Sequence, residues 1–376
     1  MKNNFLIFTI GFFIVSGCFI HGCAQKQTVK TEAGDVKVEN ITGDLNHPWG
    51  MDFLPDGRIL VTERSGTLKI YDFQDSSLSE PIKGTPEVFN RGQGGMLDVQ
   101  LDPDFEQNQY LYLSFAEPGD NNTASTALGR GKFENNELKD FEVIFSQSPK
   151  VSGPNHFGGR IVFTDNENLF LTLGERFKFD PAQNLENHLG TIVRLNKDGS
   201  VPEDNPFVGQ ADAAEEIWSY GHRNIEAAAI DPASGKLWVV EMGPMGGDEL
   251  NQPEKGRNYG WPVVSWGDNY DGSKIPDPTT APRFADAKIH WTPVISPSGM
   301  IFYQGNEFPA WDGTALIGGL TASGIVRVRI DGENAEEVER IPLEARIREV
   351  AQDSNGSIYV LTDQNNGNIW KLSPMN

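Results

Sequence analysis

The feature that most constrains the fold of this chain is a short apolar strand that recurs six times. Each copy follows a turn signal such as Pro-Asp-Gly or Asn-Gly, and successive copies lie about 60 residues apart. The six segments are residues 58–62, 110–114, 168–173, 236–240, 314–317 and 357–361. No long run shows helical periodicity. The pattern predicts an all-β fold, a six-bladed β-propeller, with a large sandwich or two barrels as the alternatives.

The chain divides into three parts by composition. Residues 1–23 have the features of a lipoprotein-type signal peptide, and residues 24–35 are polar and predict a tether. Residues 36–376 contain all the repeated strands and predict a catalytic propeller domain. An early strand at residues 36–41 could pair with the last blade and close the ring.

The charge balance excludes some classes of partner. The chain has 53 acidic and 31 basic side chains, which gives a net charge of −22 at neutral pH. Such a surface repels phosphate backbones and anionic lipid, so we expect no nucleic-acid partner. A hydrophobic content of 38% is enough for a large core and excludes a disordered chain or a coiled coil.

The N-terminal segment predicts export. Lys2 precedes an apolar run over residues 5–14, and the tetrapeptide VSGC that ends at Cys18 is typical of a lipid-attachment signal. Cys23 is a second candidate, and a plain signal peptide or a single anchor helix is the alternative, although the run is shorter than the ~20 residues that span a bilayer. We predict a periplasmic or cell-envelope lipoprotein that meets the membrane only through its lipid. Both cysteines lie here, so the propeller has no disulfide.

One candidate catalytic pair lies around the third repeat. His156 is followed closely by Gly158 and Gly159, where the backbone can bend and a ligand can approach. Imidazole is the side chain best suited to take a proton near neutral pH. Glu175, at the end of the same repeat, could orient this histidine. The alternatives are a structural histidine and an ordinary surface carboxylate.

Cationic and amide side chains form a second group of candidates. Arg223 and Asn224 together offer a planar donor fork and an amide, which suit carbonyl or carboxylate groups. Alternation along a strand puts Arg346 and Arg348 on one face, where two guanidinium groups suit a polyanionic ligand. Gln93 adds an amide in a glycine-rich bend. The alternative for the arginine pair is a surface pair that offsets neighbouring glutamates.

An acidic loop suggests a cation site. Calcium prefers carboxylates and backbone carbonyls, and the loop at residues 241–251 offers the Gly243-Pro244 turn together with Asp248 and Glu249. The spacing differs from that of an EF-hand, and a solvated acidic loop is the alternative.

These motifs, in this order, resemble the soluble aldose sugar dehydrogenases that use pyrroloquinoline quinone (PQQ), the family of soluble glucose dehydrogenase. The likeness runs from about His47 to Leu372. The matching phrases lie at residues 92–96, 101–105, 156–160, 220–224, 247–251, 258–262 and 346–348. Members of this family are six-bladed propellers, which agrees with the strand pattern.

The resemblance implies a role for each matched residue. His156 would be the general base for the sugar's C1 hydroxyl, assisted by Glu175, and Arg223 would stabilise charge that develops on the quinone. The cofactor would contact Gln93, Arg223, Asn224, Tyr270, Asp271, Gly272, Thr321, Arg346 and Arg348. Calcium at the cofactor would take the carbonyls of Gly243 and Pro244, and a further structural calcium would take Glu249 and Tyr259.

The chain departs from the family pattern at two positions. Glu175 stands where glucose-specific members carry Asp, and one extra methylene still lets it reach His156. Thr321 lies near the place of an expected cofactor-binding lysine. The loss of that cation implies that the quinone carboxylates are bound more weakly, or that Arg346 and Arg348 bind them instead.

The activity implied by the resemblance is oxidation of aldoses at C1 to lactones, with electrons passed to an external acceptor, by a monomer or homodimer. Two other functions remain open at this point. Six-bladed propellers also include metal-dependent lactonases, and others bind protein or glycan at the cell surface without catalysis.

Overall fold

The computed structural model describes residues 27–164 and 167–375. The predicted signal peptide, with Cys18 and Cys23, lies outside the described residues. Within the described part, no helix has the length and apolar character that a membrane crossing needs. The first described element is an antiparallel hairpin of β1 (Gln27–Thr31) and β2 (Gly34–Leu45).

Six antiparallel sheets follow one another along the chain. Blade 1 has β3 (Pro48–Phe53), β4 (Ile59–Glu63), β5 (Thr67–Asp72) and β6 (Ser77–Leu78); blade 2 has β7 (Met96–Leu101), the short α1 (Phe105–Asn108), β8 (Tyr110–Pro118), β9 (Thr123–Glu134), β10 (Glu137–Ser146) and β11 (Val151–Ser152); blade 3 has β12 (Gly158–Phe163), β13 (Asn168–Leu173), β14 (Thr191–Asn196) and β15 (Ile217–Tyr220).

The second half of the chain continues the same arrangement. Blade 4 has β16 (Ile225–Ile230), β17 (Leu237–Glu241), β18 (Asp248–Asn251) and β19 (Ile289–Trp291); blade 5 has β20 (Pro297–Phe302), β21 (Ala315–Gly319), β22 (Gly324–Asp331) and β23 (Asn334–Pro342); blade 6 has β24 (Ile347–Gln352), β25 (Ile358–Thr362) and β26 (Gly367–Pro374). In the part of the chain that the structure describes, short 3-10 turns lie at Asp120–Asn122, Asp180–Gln183 and Pro278–Thr280.

The sheets close into a ring. The first strands β3, β7, β12, β16, β20 and β24 each contact the next one around the circle, and β24 contacts β3. The N-terminal strand β2 pairs with the C-terminal strand β26, so blade 6 is built from both ends of the chain. The prediction of a six-bladed β-propeller is confirmed, and so is the expected ring closure by the early strand.

Among the described residues, the six largest apolar clusters with members from two neighbouring blades hold the ring together, and each junction has one of them. Met96 and Leu113 of blade 2 pack against Leu60 of blade 1, for example, and all three side chains are buried. The corresponding clusters lie between blades 2 and 3, 3 and 4, 4 and 5, 5 and 6, and 6 and 1. The six repeat segments found in the sequence are the second strands of the blades, which are apolar on both faces because each face meets a neighbouring blade.

The predicted tether differs from the structure in its described part. Residues 27–31 form β1, the outermost strand of blade 6, rather than a tether. The reason is the alternation in this segment, because Val29 is buried in the apolar cluster of blades 5 and 6 while its polar neighbours Thr28 and Lys30 point outward.

Antiparallel pairing explains how distant motifs reach one place. The start of each first strand lies beside the end of the second strand, as in the pairs Gly158 with Leu173, Ile225 with Glu241 and Ile347 with Thr362. Segments that lead into first strands and segments that leave second strands therefore meet at one end of the ring. We call this end the mouth.

Candidate active site

His156 lies at the mouth, two residues before β12, and is 5% exposed. Its Nδ1 lies 2.6 Å from Oε1 of Glu175, and its backbone N–H donates to Oε1 of Gln93 at 2.6 Å. The histidine has a φ of 56°, and a Cβ at Gly174 would lie 2.2 Å from its carbonyl oxygen. The missing side chain at Gly174 therefore lets the backbone of His156 approach the end of β13.

Glu175 is fully buried and fixed from two sides. One carboxylate oxygen faces His156, and Oε2 accepts the backbone N–H of Lys178 and, at 2.7 Å, that of Phe179. Because Nδ1 is committed to Glu175, Nε2 is the ring nitrogen left for a ligand, and it makes no hydrogen bond to the described residues.

Burial and neighbouring charges set the protonation of this pair. Burial lowers the pKa of His156 below its ordinary value of 6.5, and the charges of Arg223 and Arg176 act in the same direction, while the bond to Glu175 opposes them. Burial acts to raise the pKa of Glu175, but its hydrogen bonds and the nearby imidazole outweigh this and hold the pKa below its ordinary value. At neutral pH the pair is therefore a carboxylate beside a neutral imidazole, which is the form needed for a base.

An aromatic wall adjoins the histidine. The ring of Phe177 meets His156 edge to face at a centroid distance of 5.1 Å, and lies roughly parallel to Tyr270 at 6.3 Å. Phe177 is 39% exposed and Tyr270 is 62% exposed. Sequence reasoning missed Phe177, although its position two residues after Glu175 gave a signal.

Arg223 lies beside this wall and is almost fully buried. Its guanidinium donates to the carbonyls of Met242 and Gly243 at 2.9 and 2.7 Å and to the hydroxyl of Tyr270 at 3.1 Å, while its Nε is buried without a partner. Its planar group also lies over the ring of Trp261, 5.2 Å from the centroid. The structure therefore brings Arg223 and Tyr270 together, as expected for two residues of one site.

The neighbouring Asn224 is fully buried. Both the oxygen and the nitrogen of its side-chain amide make hydrogen bonds within the protein. Its Oδ1 accepts the backbone N–H of Gly158 at 3.1 Å, and its Nδ2 donates to Oε1 of Glu226 at 2.9 Å. Asn224 thus ties the start of β16 to the segment that carries His156.

Arg346 and Arg348 share one face, as the alternation predicts. Both bond Oδ2 of Asp363, at 3.0 and 3.4 Å, and Arg348 also pairs with Glu226 at 2.8 Å. Arg348 is buried with its Nε unpartnered, whereas the Arg346 side chain is half exposed. The carboxylates therefore hold two guanidinium groups ready at the mouth, in the opposite half of the ring from His156.

Sequence reasoning missed Asp363 and Glu226. Asp363 directly follows β25, and Glu175 lies two residues after the end of β13. An alignment of the six repeats on their second strands would have shown a carboxylate at the end of several of them, Glu63 and Glu241 included. Glu226 carries no such signal, because it lies within β16.

Three of the residues predicted to contact the cofactor, Asp271, Gly272 and Thr321, are exposed to solvent. Asp271 accepts hydrogen bonds from the N–H and hydroxyl of Ser273 in an exposed turn, which also contains Gly272. Thr321 leaves β21 at the mouth, but its hydroxyl is bound to the carbonyl of Val294 at 3.0 Å and to Ser296 at 2.9 Å. These contacts show no direct link between the three residues and His156.

The Gly243-Pro244 turn gathers backbone oxygens. A Cβ at Gly243 would lie 2.2 and 2.3 Å from the carbonyl oxygens of Gly246 and Gly247, and Pro244 is buried beside Gly267. Asp248 braces the turn by accepting the N–H of Gly243 at 2.9 Å. The carbonyl of Gly243 bonds Arg223 through one lone pair, and its second lone pair is free for a cation.

A small polar cavity lies below this turn. Its volume of about 10 Å³ has room for about one water molecule or ion, and Glu241, Glu249 and Tyr259 are among the residues that line it. Burial and the charge of Glu241 raise the pKa of Glu249 to about 8, and Nδ2 of Asn251 donates to both carboxyl groups, at 3.0 and 3.2 Å. A cation would replace the proton that this raised pKa keeps on Glu249 at neutral pH and would offset the charge of Glu241, so the carboxyl groups present fit a hard metal ion.

The described residues contain no cluster of three or more His, Cys, Asp or Glu side chains arranged as metal ligands. A cation in this region would therefore depend on backbone carbonyls as well as carboxylates, which is the ligand type that calcium accepts.

Comparison with known proteins gives a consistent result. The family model of glucose/sorbosone dehydrogenases matches residues 45–371. The chain is 42% identical over 353 residues to the aldose sugar dehydrogenase YliI of Escherichia coli, covering 91% of this chain and 94% of that protein.

Two solved structures extend the comparison. The apo form of the soluble aldose sugar dehydrogenase of Escherichia coli has a TM-score of 0.87 at 41% identity, covering 90% of this chain and 100% of that one. The PQQ-bound aldose sugar dehydrogenase of Streptomyces coelicolor has a TM-score of 0.73 at 26% identity, covering 90% of this chain and 98% of that one.

Proposed function

The chain belongs to the glucose/sorbosone dehydrogenase family, and on that basis we propose that it oxidises the C1 hydroxyl of aldose sugars to lactones with PQQ and Ca²⁺ as cofactors. Electrons pass to an external acceptor. The observation that carries the proposal is the bond between Nδ1 of His156 and Glu175, because it leaves Nε2 as a free base at the mouth, near the cation Arg223.

His156 acts as the general base. Its Nε2 takes the proton of the C1 hydroxyl as hydride leaves C1, and the carboxylate of Glu175 stabilises the imidazolium that forms. The chemistry that PQQ and Ca²⁺ supply when bound is hydride acceptance by a quinone and polarisation of that quinone. Arg223 places a fixed positive charge next to the base, where it stabilises negative charge that develops during the transfer.

The mouth fits a polycarboxylate cofactor. Arg346 and Arg348 hold its carboxylates, and the buried, unpartnered Nε atoms of Arg348 and Arg223 offer donors that the described residues leave unused. We assign the remaining contacts, in line with the family resemblance, to Gln93, Asn224, Tyr270, Asp271, Gly272 and Thr321.

Two cation sites complete the proposal. The carbonyls of Gly243 and Pro244 hold the calcium of the cofactor, and Glu249 with Tyr259 holds a structural calcium at the small polar cavity. The wider context that we propose is an exported lipoprotein attached through Cys18, acting as a monomer or homodimer.

The test is reduction of an artificial dye by the purified chain loaded with PQQ and Ca²⁺ and given aldoses. We expect dye reduction that requires sugar, quinone and cation together. Lactone hydrolysis without quinone would point instead to a propeller hydrolase. Failure to bind PQQ by a correctly folded, calcium-loaded chain would point to a non-catalytic binding protein.

A further inference from the structure

Arg64 differs from the other cations of the mouth. It directly follows β4 in blade 1, so it leaves a second strand at the mouth end, and its side chain is partly buried. Its guanidinium makes no hydrogen bond or ion pair with any residue that the structure describes, and its Nε is buried without a partner. A partly buried charge without a partner is costly, so its presence calls for a reason.

The backbone fixes the place of Arg64. Its N–H donates to the carbonyl of His47 at 3.1 Å, and its own carbonyl accepts the N–H of Met96 at 3.2 Å. A Cβ at Gly95 would lie 2.1 Å from the carbonyl oxygen of Arg64, so this close approach requires glycine. Backbone contacts therefore hold Arg64 between blades 1 and 2, and its side chain takes no part in them.

The charged groups that act on Arg64 belong to the mouth. Burial lowers its pKa below the ordinary value, Asp363 and Glu226 act in the opposite direction, and Arg348 adds to the lowering. Both carboxylates already hold Arg348, and Asp363 also holds Arg346. The negative charges of Asp363 and Glu226 are thus paired with Arg346 and Arg348, and the positive charge of Arg64 has no carboxylate of its own.

The order of the blades in the ring places the positive charge of Arg64 next to blade 6. Blade 6, with Arg346 and Arg348, stands between blades 5 and 1. On the blade 5 side Thr321 supplies no charge, and on the blade 1 side Arg64 does. We propose that Arg64 binds a carboxylate of the anionic cofactor directly, as a third arginine beside Arg346 and Arg348. This inference rests on the proposed function, and the planar guanidinium suits such a bidentate contact.

The test is calorimetric titration of the apo protein with PQQ in calcium buffer. Arg64→Gln should weaken PQQ binding about tenfold or more, since a hydrogen bond to a charged group is lost. Arg64→Lys keeps the charge but loses the bidentate geometry, so it should bind PQQ more tightly than Arg64→Gln and less tightly than the wild type. Arg329→Gln is the matched control, because Arg329 is exposed on the third strand of blade 5, where it pairs with Glu336; it should bind PQQ as the wild type does.

The melting temperature and the PQQ affinities together distinguish a binding role of Arg64 from a structural one. The melting temperature of apo Arg64→Gln should not fall below that of the wild type, because no described contact of the side chain is lost; a clear fall would indicate a structural role and overturn the proposal. Equal PQQ affinity of Arg64→Gln and Arg329→Gln would overturn this inference alone. A wild-type chain that does not bind PQQ would overturn the proposed function, and this inference with it.

Discussion

Oε1 of Glu175 lies 2.6 Å from Nδ1 of His156, and the opposite side of the imidazole makes no hydrogen bond within the described residues. The carboxylate fixes which nitrogen carries the proton, and so fixes which nitrogen can take another one. Buried carboxylate–imidazole pairs of this kind make the histidine a better base and orient its ring.

His156→Gln should lower kcat by about 10²–10⁴-fold, the usual contribution of a general base. The melting temperature should change little, because Gln can still fill the site. His290→Gln is the matched control, since His290 is exposed on β19, the outermost strand of blade 4, where it stacks on Trp266. Unchanged turnover in the His156 variant would rule out its role as the base.

Glu175→Gln should shift the pH profile. Activity requires neutral His156, whose pKa lies below 6.5 because of burial, so the wild-type rate should fall on the acid side of that value. The bond to Glu175 raises this pKa, so its removal should lower the pKa further and move the acid limb to lower pH, while kcat decreases. Steady-state rates across the acid range measure both effects. An acid limb that stays in place would contradict the pairing.

Asp363→Asn should destabilise the protein at neutral pH by about 1–3 kcal/mol, because Asp363 holds both Arg346 and Arg348. Burial acts to raise the pKa of Asp363, but Arg348 and Arg346 outweigh it and hold the pKa below 3.8. The stabilisation is therefore present above the unfolded value and lost as pH falls through the folded one. Urea denaturation should show the difference between wild type and variant shrinking in acid. Asp271→Asn, in an exposed turn, is the control and should have little effect.

Calcium should raise the melting temperature of chelator-treated protein, because a ligand that binds only the folded state stabilises it by mass action. Glu249→Gln should remove most of this rise, since it deletes one of the two carboxylates at the small polar cavity. Glu254→Gln, at an exposed position nearby, should behave as the wild type does. An equal calcium response in all three proteins would exclude Glu249 as a ligand.

Cys18→Ser should release the protein from the membrane fraction of a bacterial host and abolish labelling by a radioactive fatty acid. Cys23→Ser is the matched control and should remain attached. Loss of labelling only in the Cys23 variant would move the lipid to that residue, and labelling in neither wild type nor variants would leave a plain signal peptide.

The parts that sequence predicted are those that are local in the chain. The second strands can be recognised in the sequence because each is apolar on both faces and follows a turn. His156 and Arg223 can be recognised because each lies in a short motif. β1 escaped prediction because Val29 is its only buried apolar residue. Its strand character depends on a partner, β2, rather than on composition.

The missed site residues depend on how blades meet. Glu226 pairs with Arg348 across more than a hundred positions of the chain, and the isolation of Arg64 can be recognised only when every neighbour is known. The charges that hold Arg346 and Arg348 come from blade 4 and from the end of β25. No local pattern records such a contact, since it is created by ring closure.

That closure has a consequence for biogenesis. Blade 6 joins β2, from the N-terminal part of the described residues, to β26, from their C-terminal part, so the ring cannot close until both strands have been synthesised. Until β26 has been synthesised, the blades can form only an open arc. Arg346 and Arg348 belong to this same blade, so the two guanidinium groups reach their places at the mouth only once β2 and β26 have paired.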